Sequence, residues 1–163
     1  MGALSDSFKE AFRGHPAGVA IITAATPEGP AGLTASSVSS VSVDPVSLSF
    51  SVTHTSGSAG KLLAAATIAV HLLGDGQAEI AEAFARPGAP RFTSEQGWSQ
   101  LPSGEPFLPD ARVVFRARPD QQVRVGESVL VIAEVLSVYV GSTSGPLLYC
   151  DRQFATLGPV VDV

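Results

Sequence analysis

The feature of this sequence that most constrains its fold is a succession of short segments with strand character, separated by only brief helical segments. The segment "VSLSFSVT" at 46–53 is the plainest of these, because apolar side chains alternate strictly with hydroxyls and give the strand one apolar and one polar face. The others are "VAIITAAT" at 19–26, "TIAVHLL" at 67–73, "ARVVFRAR" at 111–118, "SVLVIAEVLSVYV" at 128–140 and "PLLYCDRQFATL" at 146–157. A doubly wound sheet needs a full helix after each strand, so this pattern predicts a mainly β barrel or sandwich.

A short amphipathic helix is expected near residue 4, because Leu4, Phe8 and Phe12 are spaced four residues apart and Ser5 and Asp6 are available as caps. Two more short helices are expected, in "SAGKLLAAA" from about Ser58 and in "AEIAEAFA" over Ala78–Ala85. The stretch from Arg86 to Glu105 is rich in proline and glycine and too long for a simple connection. Such a segment predicts a functional or interface loop.

Composition and charge exclude several classes of protein. The chain has 45% hydrophobic and 15% charged residues, which indicates a well-buried globule or an oligomer, and its 163 residues without repeat or linker predict one domain. Its net charge of −5 argues against a nucleic-acid or anionic-membrane partner. The lone Cys150 suits a reducing compartment, and no apolar run is long enough to span a membrane. We therefore expect a cytoplasmic protein.

The titratable residues give little indication of metal or hydrolytic chemistry. His15, His54 and His71 lack the close spacing of a zinc site, so structural or surface roles are favoured. The acidic residues form no pattern that indicates a paired acid and base, and Glu134, inside an apolar strand segment, is expected to have a partner there. Serine is abundant, but no G-x-S-x-G motif is present.

The segment "TSGSAGKLL" lies between a predicted strand and a predicted helix. It is only half of a nucleotide P-loop, since Thr55 and Leu62 stand where that motif needs glycine and a hydroxyl residue. A turn of this kind nevertheless offers free backbone N–H groups and the positive end of a helix dipole to an anion. It suits a single phosphate, with Lys61 or an arginine from elsewhere adding charge, while an ordinary helix cap accounts for the same residues.

Several segments together resemble the flavin reductase-like family of FMN-binding split-barrel proteins. They are "HPAGVAIITA", "GLTASSVSSVSVDP", "SFSVTHTSGSAGKLL", "AVHLL", "AEAFA", the "RF" at 91–92 and "GPLLYCDRQF", in the family's order and spacing over about 12–157. The resemblance implies a Greek-key split β-barrel with a few short helices, a homodimer, and FMN or FAD near the dimer interface. It also implies that NAD(P)H reduces the flavin, and that reduced flavin is supplied to a partner monooxygenase.

The same resemblance implies a set of cofactor-binding residues. They are Thr34, Ala35, Ser36 and Ser37 against the ring and ribityl chain; Ser51, Val52 and Thr53 beside the ring; Ser56, Ser58 and Lys61 at the phosphate; Arg91 and Phe92 near the cofactor or its nucleotide tail; and Tyr149, Arg152 and Phe154 in the terminal strand motif, against the flavin or the dimer partner. For each of them, strand packing or turn chemistry is the alternative.

The sequence departs from the family at one point. Reductases of the family commonly carry "GDH" before the long apolar strand, with the histidine near the nicotinamide, and this chain has "GES" with Ser128 at that place. Hydride transfer needs positioning more than protein acid–base groups, so the change does not forbid reduction. Two alternatives stay open: a flavin-binding split-barrel protein without efficient NAD(P)H:flavin reductase activity, and a β binding module without flavin.

Overall fold

Strands dominate the structure, a computed structural model that describes residues 2–163. The strands are β1 (Ala17–Gly18), β2 (Ala20–Thr26), β3 (Gly29–Ala35), β4 (Ser39–Val43), β5 (Val46–Thr53), β6 (Ile68–Leu72), β7 (Ser99–Gln100), β8 (Pro106–Phe107), β9 (Val113–Val125), β10 (Ser128–Val140), β11 (Leu147–Cys150) and β12 (Gln153–Thr156). The helices are α1 (Ala3–Arg13), α2 (Gly57–Ala64) and α3 (Ala78–Ala85), with a 3₁₀ turn at Ser94–Gln96. The prediction of a mainly β fold with a few short helices is confirmed.

The main sheet has seven antiparallel strands in the order β3-β2-β6-β9-β10-β5-β4. It curls until the residues after β3 meet β5. There the Ser51 amide donates to the Ser37 hydroxyl at 2.9 Å, and that hydroxyl donates to the Ser51 carbonyl at 3.2 Å. The barrel is therefore closed at this place, which we call the seam, by a side chain instead of a strand ladder. The three-stranded sheet β1-β11-β12 lies outside the main sheet.

The core follows from the side-chain pattern of the strands. In β5, Leu48, Phe50 and Val52 are buried in the barrel while Ser51 and Thr53 are exposed, which confirms the predicted two-faced strand. In β2, both Ile21 and Ile22 are fully buried. One faces the barrel interior, and the other faces a second cluster in which Ala81 and Phe84 of α3 are buried, as the helical stripe predicts.

Two boundaries differ from the sequence prediction. Strand β9 does not end at Arg118 but continues through Pro119 to Val125, because a register shift opposite Ile132/Ala133 accommodates the proline. Helix α1 begins after Gly2, and the Ser5 hydroxyl donates to the Gly2 carbonyl at 2.9 Å, so the prediction of Ser5 or Asp6 as its N-cap is wrong.

The long segment at 86–105 is fixed to the barrel at its far end. The Glu105 carboxylate is buried and accepts hydrogen bonds from Thr67, Ser103 and Arg116, whose Nε lies at 2.9 Å. Burial raises the pKa of the Glu105 carboxyl, but these hydrogen bonds together outweigh it and the pKa lies below its ordinary value. None of the helices among residues 2–163 has the length and apolar character needed to cross a bilayer.

Candidate functional site

The ends of β3 and β5 form a concave surface lined with small hydroxyl side chains. We call it the serine wall, and it consists of residues 33–37 and 51–53. Ser36, Ser37, Ser51 and Thr53 are exposed on it, whereas Ala35 and Val52 are buried and offer only backbone atoms. The sequence-predicted residues of these two segments are thus brought together on one surface, at the seam of the barrel.

Hydrogen bonds fix part of the serine wall and leave part of it free. The Thr34 hydroxyl donates to the Ala81 carbonyl at 2.6 Å and so ties β3 to α3. The Ser37 hydroxyl spans the seam. The Ser36 hydroxyl has no hydrogen-bond partner among residues 2–163, and at an exposed concave position it is available to a ligand.

Two further hollows open onto the serine wall. One is lined by Thr34 and Ser36 together with Tyr149, Arg152 and Phe154 from the β11–β12 hairpin. The other runs from Ser36, Ser37 and Ser51 to α1 and has a volume of about 860 Å³. Three adjoining concavities therefore meet at the serine wall, and they bring the predicted terminal-strand residues to the same groove.

A cradle for an anion lies where α2 begins. Ser56 is the N-cap residue of α2, but its hydroxyl makes no capping hydrogen bond, so this hydroxyl and the first-turn amides remain available. Arg91 is brought in from the long loop: its Nη1 lies 3.3 Å from the Ser58 hydroxyl and donates to the Gly32 carbonyl at 2.9 Å. No carboxylate pairs with Arg91 among the described residues, so its charge is uncompensated there.

Two of the sequence-predicted residues lie apart from these contacts. Phe92 packs edge-on against Phe84 at 4.9 Å between ring centroids and against Trp98 at 5.0 Å, and it lines a different recess. Lys61 is exposed in the last turn of α2, and its side chain forms no hydrogen bond with Ser58 or Arg91 among the described residues. The structure thus gathers most of the predicted set, with Phe92 in an aromatic cluster and Lys61 at the periphery.

The corner around Ser128 contains a histidine from the neighbouring strand. Ser128 pairs with Thr53 across β10 and β5, and the two hydroxyls are 3.1 Å apart. His54 follows Thr53 with a positive φ of 57°, and its Nδ1 lies 3.5 Å from the Glu127 carboxylate. An imidazole is therefore present beside the end of the serine wall, although position 128 itself has none.

The other titratable residues have structural surroundings. His71 is fully buried, its Nδ1 lies 2.9 Å from the Ile21 carbonyl, and burial lowers its pKa to about 4 despite that hydrogen bond. Its ring packs edge-on against Trp98. Glu134 pairs with Arg118 at 2.6 Å, which confirms its predicted partnered role. Within residues 2–163 no three His, Cys, Asp or Glu side chains are grouped as a metal site requires.

Sequence reasoning missed the contribution of α1 to the groove. Lys9, Arg13 and His15 line the hollow that runs from the serine wall to this helix. Lys9 and Arg13 are spaced four residues apart, and this spacing alone places them on one face of a helix. That signal was available in the sequence, but only the fold indicates which surface the face borders.

Comparison with known proteins identifies similar chains along nearly the whole length. Residues 12–158 match the protein family described as flavin reductase like domain. The NADH:FMN oxidoreductase of Rhodococcus qingshengii is 39% identical over 157 residues, which are 94% of this chain and 82% of that protein.

Solved structures show the same architecture. The crystal structure of a flavin reductase domain protein from Arthrobacter sp. FB24 superposes with a TM-score of 0.89 at 32% identity, covering 97% of this chain and 98% of that one. The styrene monooxygenase flavin reductase of Pseudomonas putida S12 gives a TM-score of 0.82 at 27% identity and covers 94% of this chain and 99% of that one. The overall arrangement of the chain is thus shared with these proteins.

Proposed function

The chain belongs to the flavin reductase-like family, and from this we propose that it is an NADH-dependent flavin reductase that delivers reduced FMN or FAD to a partner monooxygenase. The observation that carries the proposal is that the serine wall ends at β5, just before a helix N-terminus whose Ser58 hydroxyl lies beside an arginine without a carboxylate partner. The relatives described above are NADH:FMN oxidoreductases and flavin reductases, and they confirm the sequence prediction of an NAD(P)H-dependent flavin reductase.

The chemistry of the serine wall and of the α2 N-terminus suits a flavin mononucleotide. In this proposal the Ser56 and Ser58 hydroxyls, the first amides of α2 and Arg91 hold the phosphate, because charge-assisted hydrogen bonds to a phosphate are the strongest of these contacts. The serine wall holds the ring and ribityl chain, since small hydroxyl side chains allow close approach and offer donors and acceptors.

Chemically, a bound flavin supplies an acceptor for the hydride of a nicotinamide. The protein's part is to hold the two partners in contact and to exclude water, so no acid–base residue is required at the reacting atoms. In the proposal, the Thr53–Ser128 hydroxyl pair and His54 form the edge over which the nicotinamide docks.

The homodimer is a further part of the proposal. Apolar side chains are exposed on α1 and on the outer face of β10, where Leu136 and Val138 are 38% and 53% exposed. Adjacent exposed apolar side chains of this kind mark protein–protein contacts. A cytoplasmic location is also proposed, supported by the single, unpaired Cys150.

Anaerobic mixing of the flavin-loaded protein with NADH tests the activity directly. We expect flavin fluorescence to be quenched on binding, and the visible flavin absorption to be lost when NADH is added in a stopped-flow instrument. If flavin binds and stays oxidised with both NADH and NADPH, the protein is instead a flavin-binding barrel without reductase activity. If FMN and FAD do not bind at micromolar concentration, both functions are wrong.

A pair of matched substitutions tests the phosphate site. Ser58→Asp places a carboxylate beside Arg91, where it repels the phosphate and pairs with the arginine, so we expect FMN affinity to fall at least about tenfold. Ser99→Asp, on the exposed strand β7, adds the same charge away from the groove and is expected to leave FMN affinity within about twofold of the parent. Equal losses in the two variants contradict the assigned site.

A further inference from the structure

A recess with aromatic walls lies at the opposite end of β3 from the serine wall. We call it the aromatic recess: the β2–β3 hairpin supplies Ala25 and Pro30 to it, and the long loop and β8 supply Phe92, Trp98 and Pro106. It shares no lining residue with the three hollows that meet at the serine wall. Its volume of about 350 Å³ is at the lower end of the range of small-molecule sites, so it is large enough for a molecule of one or two rings.

The chemistry of the aromatic recess favours a neutral ligand. None of the described residues that line it carries a charge, so a phosphate or carboxylate placed there would lose hydration without gaining a cation. The rings of Phe92 and Trp98 are tilted by 52° with their centroids 5.0 Å apart, and both side chains are only half-buried. Partly open rings in this arrangement pack well against a third ring. The class of ligand that fits is therefore a small neutral aromatic molecule.

Phe92 is held in an unfavourable backbone conformation. Its φ of 58° lies in the left-handed region, which a bulky residue seldom adopts. Its ring packs against Phe84, at 4.9 Å between centroids, and against Trp98. Packing of the ring thus holds the backbone in this conformation, and a ligand that adds to the packing favours the conformation further.

The conformation of Phe92 also determines where Arg91 lies. The Phe92 ring packs over Gly32, and the carbonyl of that glycine accepts a hydrogen bond from Arg91 Nη1 at 2.9 Å. The same Nη1 lies 3.3 Å from the Ser58 hydroxyl. Consecutive residues therefore line the aromatic recess and the proposed phosphate site. A ligand on the Phe92 ring stabilises the arrangement in which Arg91 reaches Ser58, and so it increases the affinity of that site for a phosphate.

We propose that the aromatic recess binds a small neutral aromatic molecule, and that this ligand increases the affinity of the protein for FMN through Phe92 and Arg91. Binding to the recess is independent of the function proposed above. The coupling rests on that proposed function, which places the flavin phosphate beside Arg91. Because coupling between two sites is reciprocal, FMN increases the affinity for the aromatic ligand by the same factor.

Phenol and benzoate form a matched pair of probes, because they share one ring and only benzoate is charged at neutral pH. Trp98 is the chain's only tryptophan, so its fluorescence, excited at a wavelength that phenol does not absorb, reports on the recess. Calorimetry supplies a second measurement of binding. We expect phenol to bind saturably at one site per chain, and benzoate to bind at least about tenfold more weakly.

Two substitutions locate the binding site. Ala25→Phe fills the recess from its exposed hairpin wall, and the control Ala66→Phe adds the same side chain at an exposed position after α2. We expect phenol affinity to fall at least about tenfold in Ala25→Phe and to stay within about twofold of the parent in Ala66→Phe. In the parent and the control, saturating phenol is expected to lower the FMN dissociation constant, measured by equilibrium dialysis, at least about threefold. In Ala25→Phe, phenol is expected to leave this constant unchanged.

The proposal is overturned if phenol does not bind saturably below about 10 mM, if benzoate binds as tightly as phenol, or if Ala25→Phe and Ala66→Phe bind phenol equally well. An FMN dissociation constant that saturating phenol leaves unchanged in the parent overturns the coupling. Failure of the proposed function gives a different result, because the parent then binds no flavin or does not oxidise NADH. In that event the phenol titrations of the parent and the two variants still decide for or against the recess.

Discussion

Gly32 sets the distance between β3 and α3. A Cβ built at this position would lie 2.8 Å from a ring carbon of Phe84 and 3.0 Å from one of Phe92, and the Gly32 carbonyl also accepts a hydrogen bond from Arg91. Close approach of the helix, and with it the placement of the arginine of the proposed phosphate site, therefore requires a residue without a side chain.

We expect Gly32→Ala to lower the free energy of unfolding by about 1–3 kcal/mol, because the rings must shift in a packed cluster. The matched control is Gly76→Ala, where a Cβ would meet nothing within 4 Å, and a change within about 0.5 kcal/mol is expected. Urea denaturation of both variants measures the difference. Equal stability of the two variants contradicts the packing argument.

His71 gives the protein a pH-dependent stability. Its Nδ1 donates to the Ile21 carbonyl in the neutral ring, and Nε2 is buried without a hydrogen-bond partner, so protonation inside the fold is unfavourable. The pKa is about 4 in the folded protein and 6.5 in the unfolded chain. Between these values the unfolded state binds more protons, so the contribution is fully present above pH 6.5 and is lost as the pH falls towards 4.

Between pH 6.5 and pH 4 this residue is expected to lower the free energy of unfolding by about 3 kcal/mol. The variant His71→Asn keeps an N–H donor for the Ile21 carbonyl but does not titrate. We expect its free energy of unfolding to fall less steeply with decreasing pH than that of the parent, in urea titrations from pH 6.5 to 4. If the free energy of unfolding depends on pH in the same way in both proteins, His71 is not the source of the pH dependence.

At the scale of elements, the ion pair between the buried Glu105 and the half-buried Arg116 anchors the loop that carries Arg91. Glu105→Ala leaves the half-buried Arg116 guanidinium without its carboxylate, and we expect a loss of about 3 kcal/mol in stability together with faster tryptic cleavage after Arg91. The exposed pair of Glu134 and Arg118 provides the control, since Glu134→Ala is expected to cost less than about 1 kcal/mol. An unaltered cleavage rate in Glu105→Ala means that the pair does not hold the loop.

Strand alternation and helical spacing made several elements predictable from the sequence. The two faces of β5 and the bounds of α3 follow from side-chain periodicity alone. Strand β9 could not be predicted beyond Arg118, because Pro119 normally ends a central strand and only the pairing with β10 shows the irregularity that admits it. Local patterns thus predict where a helix or strand lies, whereas the full length of β9 depends on its pairing with β10.

The candidate site was predictable to a similar degree. The resemblance indicated the segments of the serine wall and the turn before α2, and the structure brings the two segments of the wall together on one surface. The positions of Phe92, in an aromatic cluster with Trp98, and of Lys9 and Arg13, beside the wall, depend on how the loop and α1 pack. A motif gives the order of residues along the chain, and packing decides which of them share a surface.

At the scale of the whole molecule, the proposed homodimer makes a separate prediction. Val138→Arg puts a charge on the exposed apolar face of β10, so we expect a dimeric parent and a variant shifted towards monomer in sedimentation velocity at low micromolar concentration. Thr143→Arg, an exposed position in the loop after β10, serves as the control and should sediment like the parent. A monomeric parent contradicts the homodimer.

The seam has a consequence for the motions of the barrel. Neighbouring strands of the main sheet are joined by backbone ladders, but on the side of Ser51 that faces β3 both backbone groups rely on the single hydroxyl of Ser37. Among the strand amides of the main sheet we therefore expect that of Ser51 to exchange readily with solvent, since one rotation about a side-chain bond releases both contacts. A ligand lying across Ser36, Ser37 and Ser51 would cover the seam. The flavin that the protein is proposed to reduce would therefore also slow the local opening of the barrel.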